Sequence, residues 1–125
     1  MNAFIVELRN HPGELARVTE AIAQKGIDIR AFSGATCGGS GSIALLTNDE
    51  TATRTALTDA GYAVREIEVV NAELEHRPGT LAAAARKLAD AGVNVEAALP
   101  IGMDGGGVVV AFATDQPTKA KAVLG

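Results

Sequence analysis

A chain of 125 residues, 47% hydrophobic and 21% charged, has the make-up of a soluble globular protein of one domain or two very small ones. Its net charge of −4 argues against a nucleic-acid partner, which calls for a basic face. One Tyr, three Phe and no Trp leave the core to Ala, Val, Ile and Leu. The single Cys37 has no partner for a disulfide, and no Cys/His cluster has metal-ligand spacing. No apolar run approaches the roughly 18 residues of a membrane span. The opening MNAFIVELRN alternates like a strand and lacks a signal peptide's charged start and apolar stretch, so the expected location is cytoplasmic.

The pattern changes period along the chain. Ala3 to Leu8 predicts a strand with Phe4, Val6 and Leu8 on one face. From Gly13 to Lys25, Leu15, Val18 and Ile22 recur at helical spacing, Pro12 suits the first turn, and Gly26 stands where a C-terminal cap belongs. Ile27 to Ser33 reads as a second strand, Cys37 to Gly41 (CGGSG) as a turn, and Ser42 to Leu46 as a third strand. Asn48 or Asp49 can cap a short helix ending at Gly61, and Tyr62 to Val69 forms a fourth strand. The order strand–helix–strand–strand–helix–strand is the ferredoxin-like unit.

The second half repeats the first. At an offset of 66, Pro12, Gly13, Leu15 and Ala16 fall on Pro78, Gly79, Leu81 and Ala82. Ala23, Gly26 and Ala31 fall on Ala89, Gly92 and Ala97, and GIDI (Gly26 to Ile29) on GVNV (Gly92 to Val95). Such a period is too long for a solenoid and points to a duplicated small domain. The expected elements are strands at Val70 to Glu75, Val93 to Pro100 and Val108 to Ala113, a helix from Gly79 to Ala91 and another from Pro117. The expected modules are therefore residues 1–69 and 70–125, the second without its last strand.

The paired motifs NHPGEL…GIDI and HRPGTL…GVNV resemble those of the ACT domain, a small ferredoxin-like module that binds amino acids and regulates metabolic enzymes. The resemblance covers nearly the whole chain. It implies an α+β fold of two tandem modules, antiparallel sheets with helices on one face, and a non-catalytic regulator without a cofactor. It also implies an amino-acid ligand at the interface between modules. That ligand would touch the loop before the first helix and the residue that opens the second strand. By position these are Asn10, His11, Gly13, Glu14 and Asp28 in the first copy, and His76, Arg77, Gly79, Thr80 and Asn94 in the second. The resemblance further implies a metabolic enzyme regulated in trans, with neither nucleic acid nor membrane as partner.

Helix starts offer unpaired N–H groups to a carboxylate, and glycine lets a ligand approach the backbone closely. Gly13 and Asp28, however, bracket a helix of about 12 residues, roughly 18 Å at 1.5 Å per residue, so a complete site requires a neighbouring module. A homodimer is expected, because Val70 to Glu75 would otherwise leave an open strand edge. No aromatic or strongly charged pocket residue is apparent in the loops, which suggests a small polar or aliphatic ligand. Three plainer readings stay open. Pro-Gly serves only as a helix start; Asp28 and Asn94 are only turn residues; and the chain is a docking module of ACT fold that no longer binds a ligand. His11 and His76 have no visible nucleophile beside them. CGGSG and DGGG (Asp104 to Gly107) lack the Lys-Ser/Thr and helix of a phosphate loop. Enzyme, copper-carrier and RNA-binding versions of the same fold need, respectively, an arginine-bearing phosphate loop, two cysteines and exposed sheet aromatics.

Overall fold

The computed structural model describes residues 1–125. It holds six antiparallel strands and four helices: β1 (Asn2–Arg9), α1 (Glu14–Ala23), β2 (Ile29–Cys37), β3 (Ser40–Thr47), α2 (Glu50–Asp59), β4 (Val64–Glu75), α3 (Thr80–Asp90), β5 (Val95–Asp104), β6 (Gly107–Thr114) and α4 (Pro117–Leu124). No helix is long and apolar enough to cross a membrane. The chain forms two compact units, Asn2–Glu66 and Ile67–Gly125 with Met1. The fourth strand of the first repeat and the first strand of the second are one element, the 12-residue β4.

In the first unit the strand order is β2-β3-β1 with the start of β4 beside β1. Phe4 and Val6 of β1 pack with Ile43 and Leu45 of β3 under Val18 and Ile22 of α1 and Ala56 and Leu57 of α2. Period-2 alternation in the strands and four-residue spacing on α1 supply this core. In the second unit the order is β4-β6-β5. Its core joins Ala72, Val110 and Phe112 from the sheet to Ala84 and Leu88 of α3 and Ala120 of α4. The first unit is the ferredoxin-like architecture that the element order predicts, and the second is the same without its last strand.

Three expectations are corrected. Leu15 does not belong to the buried stripe of α1. That stripe is Glu14, Val18 and Ile22, and Leu15 is 55% exposed, because a first-turn residue one position round the helix clears the sheet. The strands β2 and β5 also run further than their apolar patterns, since hairpin pairing carries polar residues out to Cys37 and Asp104. Finally, the offset of 66 does not hold to the end. The register of β5 on β6 shifts between Pro100 and Gly102. Ile101 is thus one extra residue taken up as a β-bulge, and from there the copies run 67 apart: Cys37 pairs with Ser40 across one hairpin and Asp104 with Gly107 across the other.

Candidate functional site

The first helix start is tied to the neighbouring hairpin. Asn10 donates from its backbone N–H to the Gly39 carbonyl (3.2 Å) and from Nδ2 to the Gly38 carbonyl (2.7 Å). Gly13 then takes a left-handed conformation (φ 91°) and no side chain caps α1; the Glu14 N–H reaches the His11 carbonyl (3.5 Å), and the next N–H groups of the first turn are left for a ligand or solvent. A Cβ at Gly13 would meet nothing within 4 Å; glycine is required there by φ, not by crowding. His11 Nδ1 lies 3.1 Å from the Pro12 carbonyl and Nε2 2.9 Å from Glu14 Oε1. Both oxygens are acceptors, so both hydrogen bonds form together only on the protonated ring. Glu14 itself is only 8% exposed.

The second helix start copies the backbone and changes the side chains. His76 donates its N–H to the Gly106 carbonyl (3.1 Å), as Asn10 does to Gly39. Gly79 has φ 90°, and α3 also lacks a side-chain cap. Arg77 pairs with Glu75. Thr80, which stands where Glu14 does, donates its hydroxyl to the Glu75 carbonyl (2.8 Å).

Asp28 and Asn94 lie at the other ends of α1 and α3. The Asp28 N–H donates to Asn48 Oδ1 (3.0 Å) and the Asn48 N–H returns to the Asp28 carbonyl (3.1 Å). Asn94 does the same with Asp115, at 2.9 Å and 3.3 Å. Asn48 is thereby spent, and Asp49 caps α2, accepting from the Ala52 N–H (3.0 Å). Within a unit, then, the loop residues come together and the strand-opening residue does not join them. The 10 residues of α1 separate Asp28 from Gly13 by about 15 Å.

Two groups were missed by the sequence reading. On one side of the His11–Glu14 pair is a hollow of about 390 Å³, lined by Asn10, His11, Glu14, Leu15, Phe32 and Ile43 among others. Phe32, on the edge strand β2, is 63% exposed, so an aromatic does stand in the wall, contrary to the expectation from the loops alone. The one available signal was Phe32 itself, an aromatic in a strand where its counterpart is Ala98. On the other side is a cleft of about 530 Å³ reaching Arg17 and Tyr62. The Arg17 guanidinium lies over the Tyr62 ring, 5.1 Å from its centroid, and the Tyr62 hydroxyl is buried without a hydrogen-bond partner. Burial is the main cause that raises the Tyr62 phenol above its ordinary pKa; Arg17 opposes this and the charge of Glu14 adds to it.

A family model described as an ACT domain pair matches residues 1–124. The chain belongs to the ACT domain pair family. Among solved structures, this ACT pair resembles a protein from Bacteroides thetaiotaomicron at 26% identity and a TM-score of 0.78, over 98% of this chain and 85% of that one. It also shares the fold of the regulatory subunit of aspartate kinase from Thermus thermophilus in its ligand-free form. There the identity is 15% and the TM-score 0.68, over 98% and 88% of the two chains. The aspartokinase alpha and beta subunits give 19% identity and a TM-score of 0.69, over 98% and 89%. Among curated proteins nothing matches.

Proposed function

We propose that this ACT pair is a non-catalytic regulator that binds a free amino acid at the head of α1. The observation that carries this reading is the hollow where Asn10, His11, Glu14, Leu15 and Phe32 meet beside an uncapped helix start. It offers charge, hydrogen-bonding groups and apolar wall at amino-acid scale, the usual combination of a small-ligand site. Membership of the ACT family, and the fold shared with regulatory subunits of aspartate kinase, support a role in trans on a metabolic enzyme of the cytoplasm. Asp28 is too far along α1 to reach the same ligand. A second copy in a homodimer therefore supplies the far wall, with its own Asp28 or Asn94.

A thermal-shift screen against the twenty amino acids tests this. A ligand at 100 times its dissociation constant adds about 2.7 kcal/mol to stability, and at least one amino acid is expected to raise the melting temperature. No rise with any of them at millimolar concentration overturns the proposal. It would leave the second reading, a docking module, for which the exposed Leu81 and Met103 of the second unit speak.

A further inference from the structure

Glu14 is an expensive residue to keep where it is. Removing a carboxylate from water costs several kcal/mol, by the usual order of magnitude, unless partners replace the hydration. Its partners here are few. The helix start contributes a partial positive charge. The ion-pair partner of Glu14 is His11, at 2.9 Å, an exposed imidazole that carries charge only when protonated. Arg17 is engaged on the face of Tyr62, and the Tyr62 hydroxyl makes no bond. With His11 neutral, a nine-tenths-buried acid is left without its ion-pair partner beside a hollow whose apolar wall includes Leu15, Phe32 and Ile43. Such a site is complementary to a molecule with a cationic head and an apolar body.

The second unit does not repeat this chemistry. Thr80 stands for Glu14 and satisfies its hydroxyl on the Glu75 and Arg77 carbonyls, and Ala98 stands for Phe32. No buried charge waits at the start of α3.

Resting on the function proposed above, we propose that Glu14 receives the ammonium group of an aliphatic amino acid whose side chain lies against Leu15 and Phe32. In this assignment the first unit binds and the second does not. Arg9 lines the same hollow and offers a cation to the ligand's carboxylate.

Titration calorimetry on the full chain at neutral pH, with L-leucine, L-isoleucine and L-valine, tests the assignment. Isoamylamine lacks leucine's carboxylate and 4-methylpentanoate lacks its ammonium. One equivalent of an aliphatic amino acid per chain is expected, displaced by isoamylamine and not by 4-methylpentanoate. Glu14→Gln is expected to weaken binding about ten- to hundredfold, the usual loss for one charged hydrogen bond, and Thr80→Ala to leave it unchanged. Phe32→Ala, at an exposed position that does not threaten folding, is expected to weaken it severalfold. Unchanged binding in Glu14→Gln overturns the assignment, as does unchanged binding in Phe32→Ala if Glu14→Gln fails to fold. Two equal sites per chain, or displacement by 4-methylpentanoate as readily as by isoamylamine, also overturn it. If another amino acid binds and the aliphatic ones do not, the assignment falls and the broader function stands. If none binds, both fall.

Discussion

The two helix starts have nearly one backbone and two chemistries. Gly13 and Gly79 share φ and ψ to within a degree (91° and −10°; 90° and −10°), and the residue two before each proline reaches the turn of its neighbouring hairpin. Yet Glu14 is a buried acid held by His11, whereas Thr80 is a self-satisfied hydroxyl between Glu75 and Arg77. A duplicated fold keeps what its backbone needs. Side chains that the backbone does not need are free to part company, and function follows them.

The same contrast runs through the interior, where it can be broken most forcefully. Ile22 and Leu88 occupy matching positions on α1 and α3, and both are fully buried. Ile22→Ala and Leu88→Ala are each expected to cost about 2–5 kcal/mol, measured by urea denaturation. Similar losses would show equivalent cores; a loss below about 1 kcal/mol at one of them would mean that this unit's core relaxes and the comparison fails there.

A smaller effect with opposite signs sharpens it. In the first unit the Thr47 and Thr53 hydroxyls bond to each other at 2.7 Å in a buried site. After the bulge the matching residues are Thr114 and Ala120, and the Thr114 hydroxyl is buried without a partner. Thr47→Val should destabilise by about 1 kcal/mol, because it removes that hydrogen bond while the Thr53 hydroxyl keeps the Asp49 carbonyl (2.6 Å), and Thr114→Val should stabilise by about 1 kcal/mol because it removes a buried hydroxyl without a partner. Chemical melts of the two variants decide this; a loss in Thr114→Val would reveal a partner for that hydroxyl.

The smallest effect separates two ion pairs. The Arg54 guanidinium makes two hydrogen bonds to Glu66 (2.7 and 2.6 Å), joining α2 to β4, and these hold the Glu66 carboxyl below its ordinary pKa. Arg77 does the same for Glu75, its neighbour two residues away. A carboxyl lowered on folding contributes stability above the ordinary carboxylate range and loses it as pH falls through the lowered value. Glu66→Gln should therefore flatten the acid limb of a stability–pH curve slightly, and Glu75→Gln less, since its bond joins no separate elements. Equal flattening by both would remove the distinction.

Much of this was legible in the residues. The paired Pro-Gly motifs, the capping glycines and the alternating strands fixed both units because each is a local signal with a backbone cause. Asn10, His11, Gly13 and Glu14 do assemble, since one loop carries them all. What lay beyond reach depends on tertiary placement. Leu15 has helical spacing with Val18, and only the edge of the sheet shows that it faces outward. Phe32 reads as a strand residue until α1 is set beside it. Ile101 is invisible as an insertion until its register slips against β6.

Tyr62 has one more consequence, an optical one. It is the chain's single tyrosine, and there is no tryptophan, so near-ultraviolet absorption and emission come chiefly from one ring in the first unit, under Arg17 and beside the helix start that carries Glu14. The protein thus contains its own label for one half of a duplicated molecule. Its alkaline spectral titration should lie above that of free tyrosine, as the burial of the phenol requires. It should collapse to the free value when the first unit opens, whatever the second is doing.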